Sequence, residues 1–537
     1  MKNDESGEEQ MEMTRGLLSP DICRKARLAR DARFDGLFFT GVTSTGIYCR
    51  SICPAVPPLE KNVQYFFSAI EASTAGLRPC LRCRPDSAPH SSAWKGKNTT
   101  LERAMYILEQ GEPLNRSEAN DKSSRGKGTV ANLSERLGIS ERYLRQLFAK
   151  SLGVSPKQYE TYCRLLLAKS LLHQTSLPIT EVAFASGFSS IRRFNEVFQQ
   201  QLQLSPTQLR RNARVDERSR NLDASLSFYL SYRPPLDWML LISFYQKRLV
   251  EGMEWTFCPN REQSEAKGRQ NHEYRDSSSE VLGYGRSFST QEASGYFEVL
   301  PILSENRVKV TLYLAEHPRA SLMPVINKIR RLLDLDADMM QIEQAITRCT
   351  GLQKPFIPGV RIPGVWSVFE AGCRAILGQQ VSVEQAVKLV NILVERYGQP
   401  IEVNGRQLKL FPSPHRLANA TLEELKMPQA RRDALIALAT KVALEPDAEV
   451  STWLSVKGIG PWTVAYARMR GNFESDVFLA TDLVIKQQLK SIYFNPEASQ
   501  TSDTIQSVSE RVAQHISPWG SYVTMMLWHR ASMSVLR

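Results

Sequence analysis

Two close cysteine pairs, Cys49 and Cys53 in IYCRSICP and Cys80 and Cys83 in RPCLRCRP, constrain this chain more than any other feature. Each pair presents two soft ligands from one turn, and two such pairs joined by a strand-bearing loop supply the four sulfurs of a tetrahedral zinc site. The alternative is four buried or idle thiols. The N-terminus, MKNDESGEEQ, lacks an apolar signal core, and no run of eighteen apolar residues could cross a bilayer, which predicts a cytoplasmic protein without membrane contact. Nine cysteines is an odd number, and in a reducing compartment paired cysteines point to metal or reactive thiols instead of disulfides. From Asp21 to about His90 there are only a helix-like start and two short aromatic strands, 37–49 and 62–68. So small a core implies folding around the metal. Arg50, Arg78, Arg82 and Arg84 flank the cysteines with charge suited to phosphate.

A length of 537 residues allows three to four domains, and 42% hydrophobic with 23% charged residues excludes a disordered, collagenous or disulfide-dense chain. Lys plus Arg exceed Asp plus Glu by 68 − 56 = 12, a balance that favours a polyanionic partner such as nucleic acid. The first thirteen residues, with five carboxylates and one lysine, form an acidic head that buries nothing. The fold class expected is multidomain and mainly α with α+β modules: a small four-cysteine zinc domain over 21–92, a helical domain over 97–213, an α+β domain over 225–349, and an all-α domain over 350–537.

The helical domain contains a polar loop at 111–128 and then an imperfect repeat: LSERLGISERYLRQLFAKSLGVSP is echoed by EVAFASGFSSIRRFNEVFQQQLQLSP, with Phe148 answering Phe198 fifty residues on. Each copy has a short helix, a turn at Gly138 or Gly187, and a second helix carrying Arg142, Tyr143 and Arg145, or Arg192, Arg193 and Asn195. Side chains so placed reach base edges and phosphates in a major groove, although a plain bundle with a solvated basic face reads alike. After the charged linker RNARVDERSRN, strand-like VKVTLYLAEH and helical MPVINKIRRLLDL alternate around a second polar loop at 260–280, and from residue 351 the chain reads as helical throughout.

Near its end the chain reads STWLSVKGIGPWTVAYARMR, a helix interrupted at Gly458-Ile459-Gly460 and restarted at Pro461. Such a hairpin offers backbone N–H groups and a helix N-terminus to a phosphate. Asp482 follows Gly460 by twenty-two residues, in DVFLATDLVIKQ; it is a candidate catalytic carboxylate or simply the cap of the next helix.

The segments TSTGIYCRSICP and AGLRPCLRCRPD resemble the N-terminal domain of the Ada family, which accepts methyl groups from DNA methylphosphotriesters. The resemblance implies that Cys49 is the acceptor thiolate and that one zinc ion is held by Cys49, Cys53, Cys80 and Cys83. The doubled unit is similar to AraC-type DNA-binding domains, with LLLAKSLLHQ as the connecting helix. Ada's alkylguanine methyltransferase, marked by Pro-Cys-His-Arg, is absent. From YRPPLDWMLLISFYQKR onward, FEAGCRAILGQQVSVEQAVKLV, PGVRIPG, KGIGPWTVAYARMRG and SPWGSYVTMMLWHR resemble AlkA-type 3-methyladenine DNA glycosylases. That resemblance makes 225–349 an AlkA-like N-terminal domain and 350–537 a helix-hairpin-helix glycosylase domain.

It implies Asp482 as the catalytic carboxylate, Leu377 as the wedge that enters the DNA stack, and Trp462, Tyr466 and Trp528 as walls around the flipped base, where a plain aromatic core is the competing reading. Gly458 and Gly460 would touch the DNA backbone. A monovalent cation at the hairpin carbonyls is a further superfamily expectation. Relatives that nick DNA place a lysine just after the hairpin; here Trp462 stands there, so a monofunctional enzyme is expected. Thr481 replaces the second aspartate common in relatives. The combined expectation is a monomer that excises alkylated bases, accepts methyl groups, and binds alkylated and promoter DNA as an activator, with RNA polymerase as a further partner. The rival is a regulator whose second half only reads lesions.

Overall fold

The computed structural model describes residues 19–30, 34–35, 38–67, 69–80, 82–83, 85, 97–109, 129–175, 177–212, 225–258, 282–291, 293–316, 321–347, 352, 357–446, 448–494 and 504–534. The acidic head, Arg84, both polar loops and most of the charged linker fall outside the described residues. The chain forms two compact units that part between Tyr159 and Glu160, with Glu109 belonging to the second.

The first unit opens with α1 (Pro20–Ala29), started by Ser19, whose hydroxyl accepts from Ile22 N–H. Strands β1 (Phe39–Val42), β2 (Ile47–Arg50) and β3 (Val63–Phe66), helix α2 (Ala69–Thr74) and β4 (Arg78–Pro79) follow. The sheet order is β3-β1-β2-β4, with β2 and β4 parallel. The expected strand over 37–49 is thus a hairpin, turned at Gly46 with φ 65°. Its cores are small: Phe39, Tyr48, Phe66 and Ala72 in one cluster, Cys23, Ala26 and Phe38 in another. Helices α3 (Lys97–Glu109), α4 (Thr129–Leu137) and α5 (Glu141–Leu152) bury Leu133, Leu144 and Phe148 against Ala104 and Leu108.

Helix α6 (Pro156–Gln174) contains the seam, and α7 (Ile179–Ala185), α8 (Ile191–Leu202) and α9 (Pro206–Asn212) complete the second repeat. Both repeats turn through a left-handed glycine, Gly138 at φ 65° and Gly187 at φ 84°. In each a serine then starts the next helix, Ser140 accepting from Tyr143 N–H and Ser190 from Arg193 N–H, both at 3.2 Å.

Beyond the linker come β5 (Ser225–Ser231), α10 (Trp238–Gln246), β6 (Glu254–Phe257), β7 (Gly283–Ser289), β8 (Ser294–Ile302), β9 (Arg307–Leu314), α11 (Met323–Leu332) and α12 (Met339–Thr347). The five strands form one antiparallel sheet in the order β5-β9-β8-β7-β6. Then follow α13 (Val368–Leu377), α14 (Val383–Tyr397), β10 (Gln399–Val403), β11 (Arg406–Leu410), α15 (Pro414–Ala418), α16 (Gln429–Leu444), α17 (Pro461–Arg470), α18 (Leu483–Tyr493), α19 (Ile505–Ile516) and α20 (Gly520–Ser534).

The β10–β11 hairpin corrects the expectation of a wholly helical end. Its Asn404-Gly405 turn holds both residues at positive φ, 51° and 73°, as a two-residue hairpin needs, and Val403, Leu408 and Leu410 are buried. A buried ionic cluster ties the five-stranded sheet to α13: Arg286 bridges Glu254 at 2.8 Å and Glu370 at 2.5 Å, while Arg374 reaches Glu254 at 3.0 Å and Glu370 at 2.9 Å. Two cations thereby meet two anions away from water, which fixes α13 in place. Among the described residues no helix is long and apolar enough to cross a membrane.

Candidate active site and metal centre

The ligand atoms of Cys49, Cys53, Cys80 and Cys83 all lie within 4.8 Å of one another. β2 carries Cys49, a turn closed by Cys53 N–H on Arg50 O at 3.1 Å brings in Cys53, and Cys80 N–H bonds Tyr48 O at 3.0 Å as β4 ends. Four thiols so crowded cannot all ionise without a cation: hydrogen bonding among the sulfurs pulls the Cys53 thiol down to about 2 and pushes Cys49 up. A divalent ion with a preference for sulfur removes that conflict, so the donor set fits zinc. Arg50 N–H also points at Cys83 Sγ at 3.3 Å.

A cleft of about 550 Å³ beside Cys49 is lined by Arg30, Arg78 and Arg82. Arg78 and Arg82 are exposed there. Arg50, expected beside them as a phosphate contact, is buried instead, donating to Asp35 at 2.8 Å and to Cys83 O at 3.1 Å. It props the metal loop. Thr40 faces Cys49 across the hairpin, and its buried hydroxyl lines the cleft without a hydrogen-bond partner among the described residues.

In the helix-turn-helix units Arg142, Arg145, Arg192 and Arg193 are all exposed. Arg145 pairs with Glu141 at 2.5 Å and Arg192 with Glu196 at 3.0 Å within their own helices. Such solvated pairs are worth little and yield readily to phosphate.

The glycosylase-like centre starts from the hairpin. A 3-10 turn, Val450–Ser455, leads to Gly458 at φ 91°, and α17 begins at Pro461 with no side-chain cap on its first N–H groups. Gly458 is compelled twice over, since an added Cβ would lie 2.9 Å from Ala434 Cβ; around Gly460 there is open space. Gln379 Nε2 donates to Gly458 O at 3.2 Å and to Thr463 Oγ1 at 3.1 Å, pinning the turn after α13 to the hairpin.

Asp482 caps α18 and also faces an aromatic wall. Its Oδ1 accepts from Val484 N at 3.0 Å, Ile485 N at 3.1 Å and Trp528 Nε1 at 3.2 Å, and its Oδ2 accepts from Trp462 Nε1 at 3.0 Å. Trp462 stacks on Tyr466 with ring centroids 5.3 Å apart, and Tyr466 lies 6.3 Å from Trp528. The carboxylate and all three predicted rings are therefore brought together.

Leu377 is not part of this site. It is fully buried on the core face of α13, where no stack of bases can reach it. The exposed residue is Gln380, three positions on at the tip of the turn, held at φ 57°.

Four further residues adjoin the wall. Arg470 donates to Tyr466 Oη and, at 2.7 Å, to Pro363 O, and it lies 4.8 Å over the Phe244 ring. Arg248 covers the same ring at 3.8 Å, and His529 meets it edge-on at 6.0 Å. Neither arginine has a carboxylate partner among the described residues. Burial, with like charge from Arg470, pushes Arg248 down to about 10. Although burial raises it, the Tyr466 phenol is held below its ordinary value by Arg470 and Arg248. Spacing could have found two of these: Trp462, Tyr466 and Arg470 recur every four residues on one helix face, as do Phe244 and Arg248.

The chain matches four families: the metal binding domain of Ada over 22–86, a helix-turn-helix domain over 133–212, the AlkA N-terminal domain over 227–367, and the HhH-GPD superfamily of base excision DNA repair proteins over 373–514. Over 520 residues it is 32% identical to a probable bifunctional transcriptional activator/DNA repair enzyme AlkA of Mycobacterium tuberculosis, covering 94% of this chain and 95% of that one. The chain belongs to this bifunctional Ada/AlkA family. Each half of the Ada/AlkA chain also has separate relatives in Escherichia coli. DNA-3-methyladenine glycosylase 2 is 30% identical over 56% of this chain and 96% of its own length. The bifunctional activator and repair enzyme Ada is 31% identical over 33% of this chain and 47% of its own length.

Proposed function

We propose that this protein repairs alkylated DNA and regulates that repair, and that its second half is a monofunctional glycosylase. The observation that carries the reading is Asp482, held between two indole N–H groups beside a stack of three aromatic rings. A damaged purine turned out of the duplex would lie against Trp462, Tyr466 and Trp528, whose faces attract a cationic base by about 0.5–2 kcal/mol each. Oδ1 already takes three donors and Oδ2 one, so Oδ2 has the spare capacity to face the sugar. As the C1′–N bond breaks, its electron pair leaves with the base, and the carboxylate stabilises the cationic sugar until water adds to C1′ and loses a proton. No amine follows the hairpin, since Trp462 stands there, which supports hydrolysis to an intact abasic site.

Gly458, Gly460 and the start of α17 would hold a backbone phosphate. Gln380 is the side chain this geometry offers to the gap left in the stack, in place of Leu377; its amide can hydrogen-bond the widowed base.

In the first half, Cys49, Cys53, Cys80 and Cys83 hold zinc, which keeps sulfur as a nucleophilic thiolate at neutral pH. Cys49 Sγ would attack the methyl carbon of a methylphosphotriester; the S–C bond forms, the C–O bond breaks, and a phosphodiester anion departs. Arg78 and Arg82 would grip the phosphates, and the Thr40 hydroxyl is placed to donate to the triester. The exposed arginines of the two helix-turn-helix units would read a promoter, with RNA polymerase recruited there by a protein acting as a monomer in the cytoplasm.

The test is release of 3-methyladenine from methylated duplex by the wild type and by Asp482→Asn. Asparagine caps helices as well as aspartate, so the variant keeps α18 while losing the charge and the Oδ2 acceptor of the Trp462 indole N–H. Wild-type release lost in the variant supports the enzyme; release by neither leaves a lesion-reading regulator, and equal release by both removes Asp482 from the chemistry.

A further inference from the structure

Strand β5 is an edge of the five-stranded sheet, and a bare edge presents backbone groups to any extended chain. One backbone group of this edge is taken from within the chain. Gln174 Oε1, at the last residue of α6, accepts Tyr229 N–H of β5 at 2.8 Å. A second link, backbone to backbone, joins the end of α7 to the residue before α11, Leu322 N–H donating to Ala185 O at 2.8 Å. The turn glycine Gly187 also touches this segment, since a Cβ there would be in van der Waals contact with Cβ and Oγ of Ser321, 3.4 Å from each.

The apolar packing is continuous as well. Val182, Phe194 and Phe198 of the second helix-turn-helix unit share one buried cluster with Phe228 and Leu230 of β5 and Ile326 of α11. The first helix-turn-helix unit differs in kind, since its Leu133, Leu144 and Phe148 close a cluster with α3. Burial of this sort is the main source of lasting association between folded parts. The docking leaves the reading edge free, with the side chains of Arg192 and Arg193 on α8 91% and 64% exposed.

We infer that the second helix-turn-helix unit is a permanent part of the glycosylase body, seated on the sheet through β5 and the start of α11. Duplex gripped by α8 is held by the same rigid body that carries Asp482, so the repair domain does not swing free while this helix is engaged.

The test uses the full chain with a protease recognition sequence in place of residues 214–221. After cutting, the two pieces should co-elute one to one from a sizing column in high salt, which screens surface ion pairs and leaves apolar contacts intact. Separate elution would overturn the inference. A second cuttable chain carrying Gln174→Ala and Ser321→Arg should elute as one species before cutting and as two afterwards; pieces that still co-elute would overturn the assigned seat. Neither readout depends on base excision, so failure here is distinct from failure of the glycosylase reading.

Discussion

The indole N–H of Trp528 donates to Oδ1 of Asp482 at 3.2 Å across 46 residues of chain. With the matching bond from Trp462 at 3.0 Å, the rings that would hold the base also aim the carboxylate. Trp528→Phe keeps an aromatic face and removes the donor. A hydrogen bond to a charged group is worth about 1.5–3 kcal/mol, so if that much of the carboxylate's alignment is lost excision kcat should fall roughly 10- to 100-fold, with a melting temperature lowered by a few degrees. An unchanged kcat would show that the bond does not set the geometry.

The two hairpin glycines should separate fold from DNA contact. Gly458→Ala forces a side chain into φ 91° and against Ala434, so it should lower stability by about 1–3 kcal/mol in a thermal melt. Gly460→Ala meets no atom within 4 Å and has an ordinary φ of −103°, so stability should hold. Its methyl would stand where a phosphate approaches, and the KM for lesion duplex should rise while kcat stays.

Zinc should be structural for the first module and irrelevant to excision. With clusters of only four and three buried residues, that module depends on its metal, so a chelator should make it sensitive to limited proteolysis. Metal analysis should find one zinc per chain, lost in Cys83→Ser. Release of 3-methyladenine should survive chelation; its loss would contradict a glycosylase site that works without the zinc.

His529 predicts an acid-sensitive fold. Burial, with Arg248 and Lys247 nearby, pushes its imidazole down to about 4 from the ordinary 6.5. Above pH 6.5 both folded and unfolded forms are neutral and its stabilising contribution is complete. As pH falls from 6.5 to 4 only the unfolded chain binds the proton, and up to about 3 kcal/mol is lost. Asp334, raised to about 6 by burial against the pull of Arg361, works in the opposite sense, losing its contribution as pH rises from 3.8 to 6. Denaturant titrations should therefore compare wild type with His529→Asn, whose stability should fall less steeply over that interval; parallel slopes would remove His529 as the cause.

Motif and spacing made the cysteine pairs, the helix-turn-helix repeat and the hairpin legible, because ligands, turn glycines and cap serines act within a few residues of one another. The β10–β11 hairpin was equally local, signalled by Asn404-Gly405 amid alternating apolar residues, and was obscured by the long helices around it. Leu377 shows the limit of resemblance: one helical residue is exposed or buried according to what packs on its face, and here the core cluster takes Leu377 while the turn presents Gln380.

The amino-acid order alone determined which chemistry the chain carries: four sulfurs for a metal, paired arginine-bearing helices, and a carboxylate beyond a glycine hairpin. Only the tertiary structure decided that Arg50 supports the metal loop, that Arg248, Arg470, Phe244 and His529 adjoin the aromatic wall, and that the second helix-turn-helix unit rests on the sheet. Those relations join residues tens to hundreds of positions apart. They follow from which apolar faces are buried together, which no local spacing encodes.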